Sequence, residues 1–120
     1  MRWILFLDDI RFPVDINVTF NDQLVIIARS MDDAVWYIQR YGIPYQIHFD
    51  HDLAHEHYIN NNSEKTGYSF AKWFCNWILT NKLTLPEDFE YFVHSQNISG
   101  AENIRCYMNK FLKRLINGQD

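Results

Sequence analysis

Four short apolar runs alternate with amphipathic stretches along the chain. The runs cover residues 3–7, 24–28, 45–49 and 89–93, and each ends abruptly at polar side chains. Short, continuous apolar runs of this kind are typical of strands that are buried on both faces of a parallel sheet. Residues 18–20 would add a small edge strand.

Three of the amphipathic stretches have the apolar spacing of helices. The first is bounded by Ser30, whose capping box closes at Asp33, and by Gly42. The third follows a second capping box, formed by Ser99 and Glu102. The expected helices cover residues 31–41, 66–81 and 100–117.

Strands that alternate with helices predict an α/β fold, in which helices pack on the faces of a parallel sheet. The length of 120 residues fits one domain with one core, residues 1–120. In sheets of this type, ligands bind beyond the carboxyl ends of the strands. A functional site is therefore expected at the carboxyl edge of the sheet.

Polar residues follow every predicted strand. Residues 8–9 are both aspartates, residues 29–30 are Arg-Ser, residues 50–52 are Asp-His-Asp, and residues 94–97 are His-Ser-Gln-Asn. Because parallel strands end at the same edge of a sheet, these four segments should converge there. This convergence is the main argument for a site.

Two groups of carboxylates at neighbouring strand ends would repel one another unless a cation lay between them. Hard oxygen ligands favour Mg²⁺, or Mn²⁺ where a histidine joins them. Asp8, Asp9 and Asp50 are therefore the candidate metal ligands, and such a metal would polarise a phosphoryl oxygen or activate a water. The alternative is that Asp8 or Asp9 caps its strand and bonds to loop backbone.

His51 and His94 are the candidate acid and base, because imidazole titrates near neutral pH. Two histidines on opposite sides of a phosphate would suit the opening of a cyclic phosphodiester, where one activates water and the other protonates the leaving hydroxyl. The alternative for each is a structural, hydrogen-bonded histidine. His48 lies on the sheet face opposite Phe49 and is expected to be structural.

An anion site is predicted where the last helix begins, because free backbone N–H groups and the helix dipole attract phosphate. Ser95, Asn97 and Gly100 belong to this segment, and Arg11 could reach the same phosphate with its guanidinium. The alternatives are simple helix capping and, for Arg11, an ion pair with a carboxylate. Tyr68 could stack on a base, although core packing is its expected role.

Charge and cysteine content limit the classes of binding partner and the cellular compartment that we expect for this protein. A net charge of −4 and a pI of about 5.6 disfavour strong non-specific binding to nucleic acid. Cys75 and Cys106 lack metal-ligand spacing and are expected to be buried thiols in a reducing compartment. With no signal peptide and no apolar run of transmembrane length, we expect a cytoplasmic location and no membrane contact.

Several of these segments together resemble the cyclic-phosphate processing receiver-like domains, divergent relatives of two-component receivers in bacteria and phages. The resemblance covers nearly the whole chain. The motifs that carry it are residues 7–13 (LDDIRFP), 49–53 (FDHDL), 66–68 (TGY) and 94–97 (HSQN), with Gly100, Glu102 and Asn103.

The resemblance implies a receiver-like, flavodoxin-like three-layer sandwich with a reduced, mostly parallel four-stranded sheet. It also implies processing of a cyclic phosphate, such as a 2′,3′-cyclic phosphate of RNA or of a nucleotide. The implied site consists of the acidic residues Asp8, Asp9, Asp50 and Asp52, the histidines His51 and His94, and the pocket residues Arg11, Ser95 and Asn97.

Compared with a signalling receiver, we expect this chain to lack the fifth strand with its terminal lysine, and to have a loop in place of the long first helix. Compared with the cyclic-phosphate family itself, Ala54 stands where glycine is frequent. Three hypotheses therefore remain: a metal-dependent phosphoesterase, a non-catalytic module that binds a nucleotide or a protein partner, and a phosphoacceptor at Asp50. The missing lysine ranks the phosphoacceptor last.

Overall fold

Four parallel strands form the frame of the described chain. The computed structural model describes residues 2–8, 23–49, 67–94 and 98–116. The strands are β1 (Ile4–Leu7), β2 (Val25–Ala28), β3 (Gln46–Phe49) and β4 (Glu90–Val93). The helices are α1 (Met31–Tyr41), α2 (Gly67–Thr80) and α3 (Ile98–Ile116).

The strand order is β2-β1-β3-β4, and all three neighbouring pairs are parallel. In the register, Phe6 lies beside His48, and His48 lies beside Phe92. A parallel four-stranded sheet with three helices is consistent with a receiver-like, flavodoxin-type α/β fold, so the predicted fold class is confirmed. The edge strand predicted at residues 18–20 lies outside the described residues.

The three helices of the described residues share one core on one face of the sheet. Alternate strand residues supply the sheet side of this core, because successive side chains of a strand point to opposite faces. The described residues thus comprise the sheet and one helical layer, and the second helical layer of the predicted three-layer sandwich stays a prediction. The buried side chains of this core include Trp3, Leu5, Leu7, Ile47, Phe49, Phe70, Phe74, Ile104 and Met108.

The opposite face of the sheet carries the other alternate residues of β1, β3 and β4. Ile4 and Phe6 are buried there, and His48 is only 3% exposed. Phe92, the cross-strand neighbour of His48, is 41% exposed. A histidine at such a buried position needs hydrogen-bond partners, because burial of an unpaired polar group is costly.

The caps of α1 agree with the sequence, and that of α3 does not. The Ser30 hydroxyl accepts a hydrogen bond from the Asp33 backbone N–H at 3.1 Å, and Gly42 ends α1 with φ of +90°. The α3 helix already begins at Ile98, so Ser99 is a helical residue. The second predicted capping box is therefore wrong, because an N-cap residue must have non-helical backbone angles.

The two cysteines differ in burial. Cys75 is buried, and its Sγ lies 3.7 Å from Sδ of Met108. Cys106 is exposed, so the prediction that both thiols are buried is wrong for this residue. The reason is helical phase, since Cys106 lies two residues from the core positions Ile104 and Met108 and thus faces away from them. Burial raises the pKa of the Cys75 thiol to about 12.

We expect one fast-reacting thiol per native chain. Because the thiolate is the nucleophile, Cys75 should resist an aromatic disulfide reagent at pH 8 until the protein unfolds, whereas Cys106 should react at once. A colorimetric thiol titration with and without denaturant measures this. The Cys106→Ser variant is the control, and a fast phase that persists in it would contradict the assignment.

Candidate functional site

Asp8 and Arg29 lie side by side at the carboxyl edge of the sheet. Each follows its strand directly, and the Asp8 backbone N–H donates to the Ala28 carbonyl oxygen at 3.1 Å. The Arg29 guanidinium in turn donates from Nη1 to the Asp8 carbonyl oxygen at 3.2 Å. These two hydrogen bonds extend the pairing of β1 with β2 by one residue beyond the ends of the strands. They hold Asp8, which is 2% exposed, at the edge where ligands bind in parallel sheets.

His94 occupies the corresponding position after β4. Its backbone N–H donates to the Phe49 carbonyl oxygen at 2.8 Å, which extends the β3–β4 pairing. Asp8 and His94 therefore lie at the same level of the sheet, on the two sides of β3. Two strand spacings separate their backbones by about 10 Å.

The ring of His94 is hydrogen-bonded to the ring of His48. Nε2 of His94 and Nδ1 of His48 are 2.7 Å apart. The ring centroids are 5.0 Å apart and the ring planes differ by 8°. Nearly parallel rings with nitrogens this close cannot be stacked face to face, because stacking would hold the two planes farther apart than the nitrogens are. The rings therefore meet edge to edge through an in-plane hydrogen bond.

The hydrogen bonds continue from His48 along the same face of the sheet. Nε2 of His48 lies 2.7 Å from Oε1 of Gln46, and Nε2 of Gln46 donates to Oε2 of Glu90 at 2.8 Å. Glu90 is the cross-strand partner of Gln46 in the register. Four side chains thus form one chain of hydrogen bonds between β3 and β4, and we call it the Glu90–His94 chain.

The hydrogen bond between His48 and His94 was not predicted from the sequence. His48 was correctly assigned to the face opposite Phe49, but as a structural residue with no link to His94. The spacing of the polar residues along β3 and β4 could have indicated this link, because side chains of a strand alternate between the two faces of the sheet. Gln46 and His48 are spaced by two on β3, and Glu90 and His94 are spaced by four on β4, so all four belong to the same face once the strands pair.

Burial lowers the pKa of His48 from 6.5 to about 4, and the nearby His94 contributes in the same direction. Burial has this effect because it disfavours the charged imidazolium. His48 is therefore neutral at pH 7 and carries a single ring proton. A neutral ring has one donor nitrogen and one acceptor nitrogen.

The low pKa of His48 predicts acid destabilisation. The unfolded chain takes up a proton near pH 6.5 and the folded protein only near pH 4, so stability is complete above pH 6.5 and falls as the pH drops towards 4. We expect the free energy of unfolding to fall by about 2–3 kcal/mol from this residue between pH 7 and 4.5. Urea unfolding at both pH values would measure it.

The His48→Gln variant provides the comparison, because an amide does not titrate in this range. Its unfolding free energy should depend less on pH than that of the wild type by the same amount. An equal pH dependence in the two proteins would show that His48 does not contribute in this way.

Most of the other predicted site residues lie outside the described residues. Gly100 is described, and it lies buried in the first turn of α3. Tyr68 packs edge-on against Tyr107, with 5.8 Å between ring centroids, as expected for a residue that packs on the core. The predicted residues outside the described ranges are Asp9, Arg11, Asp50, His51, Asp52, Ser95 and Asn97.

Within the described ranges, no three histidine, cysteine or carboxylate side chains gather as a metal-binding group. Two of the three predicted ligands, Asp9 and Asp50, fall outside those ranges, so the predicted metal site stays a prediction. None of the described helices is long and apolar enough to cross a membrane.

Comparison with known families decides the class of this domain. The profile of the cyclic-phosphate processing receiver domain matches residues 3–110. The chain belongs to this family. The matched span contains the four strands that the structure describes, together with Asp8 and His94. No curated protein and no solved structure matches the chain.

Family membership confirms the resemblance drawn from the sequence motifs. It associates this receiver domain with cyclic-phosphate processing and implies a cyclic phosphate as its substrate.

Proposed function

We propose that this receiver domain is a metal-dependent phosphoesterase that opens a cyclic phosphate, such as a 2′,3′-cyclic phosphate of RNA or of a nucleotide. One observation carries the proposal. A buried carboxylate, Asp8, and a histidine, His94, follow two strands on the two sides of β3 at the carboxyl edge. A receiver that only accepted a phosphoryl group would not need an imidazole at that edge.

Asp8 is suited to be a metal ligand by the chemistry of its carboxylate and by its position at the carboxyl edge of the sheet. It is a hard oxygen donor, and a carboxylate that is 2% exposed is stabilised by a neighbouring cation. Asp9 and Asp50, which follow Asp8 and Phe49 directly in sequence, would complete the ligand set. Bound Mg²⁺ or Mn²⁺ would supply Lewis-acid polarisation of a phosphoryl oxygen.

The histidines would move the protons. Hydrolysis of the cyclic ester forms one bond from phosphorus to the water oxygen and breaks one bond from phosphorus to a ribose oxygen. His94 would take the proton that the water loses, and His51 would give a proton to the leaving ribose oxygen, with Asp52 beside it in sequence. Arg11, Ser95, Asn97 and Gly100 would bind the phosphate oxygens.

The alternative is a non-catalytic receiver domain that binds a nucleotide or a protein partner. The same phosphate-binding groups would serve such a module, so turnover is what separates the two functions. A phosphoacceptor at Asp50 would instead be labelled by a small phosphodonor.

Loss of one metal ligand should abolish turnover. We expect the wild type to open 2′,3′-cyclic nucleotides in Mg²⁺ or Mn²⁺ but not in chelator, and Asp8→Asn and Asp50→Asn to lose this activity, because an amide is a poorer ligand for a hard cation. Chromatography of the nucleoside monophosphate products measures it. No turnover by folded wild type in either metal, with nucleotide binding retained, would favour the non-catalytic module.

Asp88→Asn is the matched control for these two variants. Asp88 pairs with Arg2, and both side chains are more than half exposed. It lies before β4, at the opposite edge of the sheet from Asp8. An exposed ion pair contributes little to stability, so this variant should keep wild-type turnover. A loss as large as that of Asp8→Asn would mean that both variants act through folding.

His94→Ala separates catalysis from binding. If His94 moves a proton, we expect turnover to fall by about 10²- to 10⁴-fold while nucleotide affinity changes little. Steady-state rates measure turnover, and calorimetric titration with a cyclic phosphonate analogue, in which carbon replaces the scissile ester oxygen, measures affinity. A parallel loss of affinity and rate would instead assign His94 to phosphate binding.

A further inference from the structure

In the Glu90–His94 chain, the donor and the acceptor of each hydrogen bond can be assigned from the carboxylate of Glu90 at one end. An ionised carboxylate can only accept hydrogen bonds, so Glu90 accepts a hydrogen bond from the Gln46 amide. The amide therefore turns its NH₂ group to Glu90 and its Oε1 to His48. Since Oε1 can only accept, the ring proton of His48 lies on Nε2.

The position of the ring proton on His48 determines which ring nitrogen of His94 carries a proton. His48 is 3% exposed and burial disfavours the imidazolium, so with its proton on Nε2 its Nδ1 carries a lone pair and accepts. Nε2 of His94, at 2.7 Å from that lone pair, must donate. A neutral His94 then has its single proton on Nε2, and Nδ1 is the nitrogen that can take up a proton.

We propose that Gln46 and His48 are positioning residues that fix the ring tautomer of His94, and thereby select Nδ1 as its basic nitrogen. The role of that nitrogen in cyclic-phosphate opening rests on the proposed function, whereas the tautomer itself does not. A histidine that acts as a base needs its lone pair on the nitrogen that faces the reaction, and a hydrogen bond to the other nitrogen is the usual way to secure it.

The surroundings of the two rings hold this arrangement in place. Phe92 stacks on His48, with 4.9 Å between centroids and 23° between planes. Phe6 lies against both imidazoles, with centroid distances of 5.8 Å to His48 and 6.3 Å to His94. When Nδ1 of His94 takes up a proton, its Nε2–H bond to the neutral His48 becomes charge-assisted and therefore stronger.

The tautomers are directly measurable in the whole protein by ¹⁵N–¹H correlation NMR of the histidine rings at pH 7.5. The wild type should show protonated Nε2 and unprotonated Nδ1 for both His48 and His94. A proton on Nδ1 of His94 in the wild type would overturn the proposal without any variant.

The Gln46→Lys variant should reverse the whole chain. An ammonium group can only donate, so Nε2 of His48 would become the acceptor and its proton would move to Nδ1. His94 would then have to accept at Nε2 and carry its own proton on Nδ1. In both rings, we expect the Nδ1 signal to become that of a protonated nitrogen and the Nε2 signal to become that of an unprotonated one. Unchanged tautomers in a folded Gln46→Lys protein would overturn the proposal.

The matched control is the double variant Gln46→Glu with Glu90→Gln, which exchanges the two groups across the strands and conserves net charge. Position 46 keeps an acceptor for His48 and position 90 supplies the donor, so the wild-type tautomers should persist. A reversal in this control would equally overturn the proposal, because it would show that the tautomer does not follow the group at position 46.

Turnover of 2′,3′-cyclic nucleotides adds a second measurement. With the tautomer reversed in Gln46→Lys, kcat should fall by about 10- to 100-fold with little change in KM, whereas the double variant should have a kcat close to that of the wild type. Wild-type protein with the expected tautomers but no turnover would refute the proposed function and leave the tautomer assignment intact. Normal kcat in a tautomer-reversed Gln46→Lys protein would overturn the role of Nδ1.

Discussion

The parallel register of β3 between β1 and β4 is the constraint on which the site depends. It sets Phe6, His48 and Phe92 side by side and brings Asp8 and His94 to the same level beyond the strands. A slip of one residue in β3 would turn His48 into the helical core and Phe49 out of it, because side chains alternate between the faces. The same pairing therefore specifies the core and the polar edge.

The two faces of the sheet serve different purposes. One face is an apolar core shared with three helices, where volume and shape decide stability. The other face places an imidazole at a buried position, which is tolerable because each ring nitrogen of His48 has a partner. A buried polar network of this kind is costly if one member is missing, so its members are coupled in stability as well as in any chemistry.

His48 is a neutral, buried histidine whose ring is hydrogen-bonded to the ring of a second histidine, His94. An imidazole can both accept and donate a proton near neutral pH. The low pKa of His48 keeps its ring neutral at pH 7, so that ring holds the His94 ring through a hydrogen bond between one donor nitrogen and one acceptor nitrogen.

By itself, the sequence determined the four strands, the three helices, the fold class and the residues that follow each strand, because apolar periodicity and Gly or Ser signals are local. Only the tertiary structure decided that Gln46, His48, Glu90 and His94 form one chain, since these contacts join two strands more than 40 residues apart in sequence. It also decided which cysteine is buried, because the phase of α3 against the core is a packing property. Local patterns thus reveal elements and their ends, whereas the pairing of side chains across strands depends on register and burial.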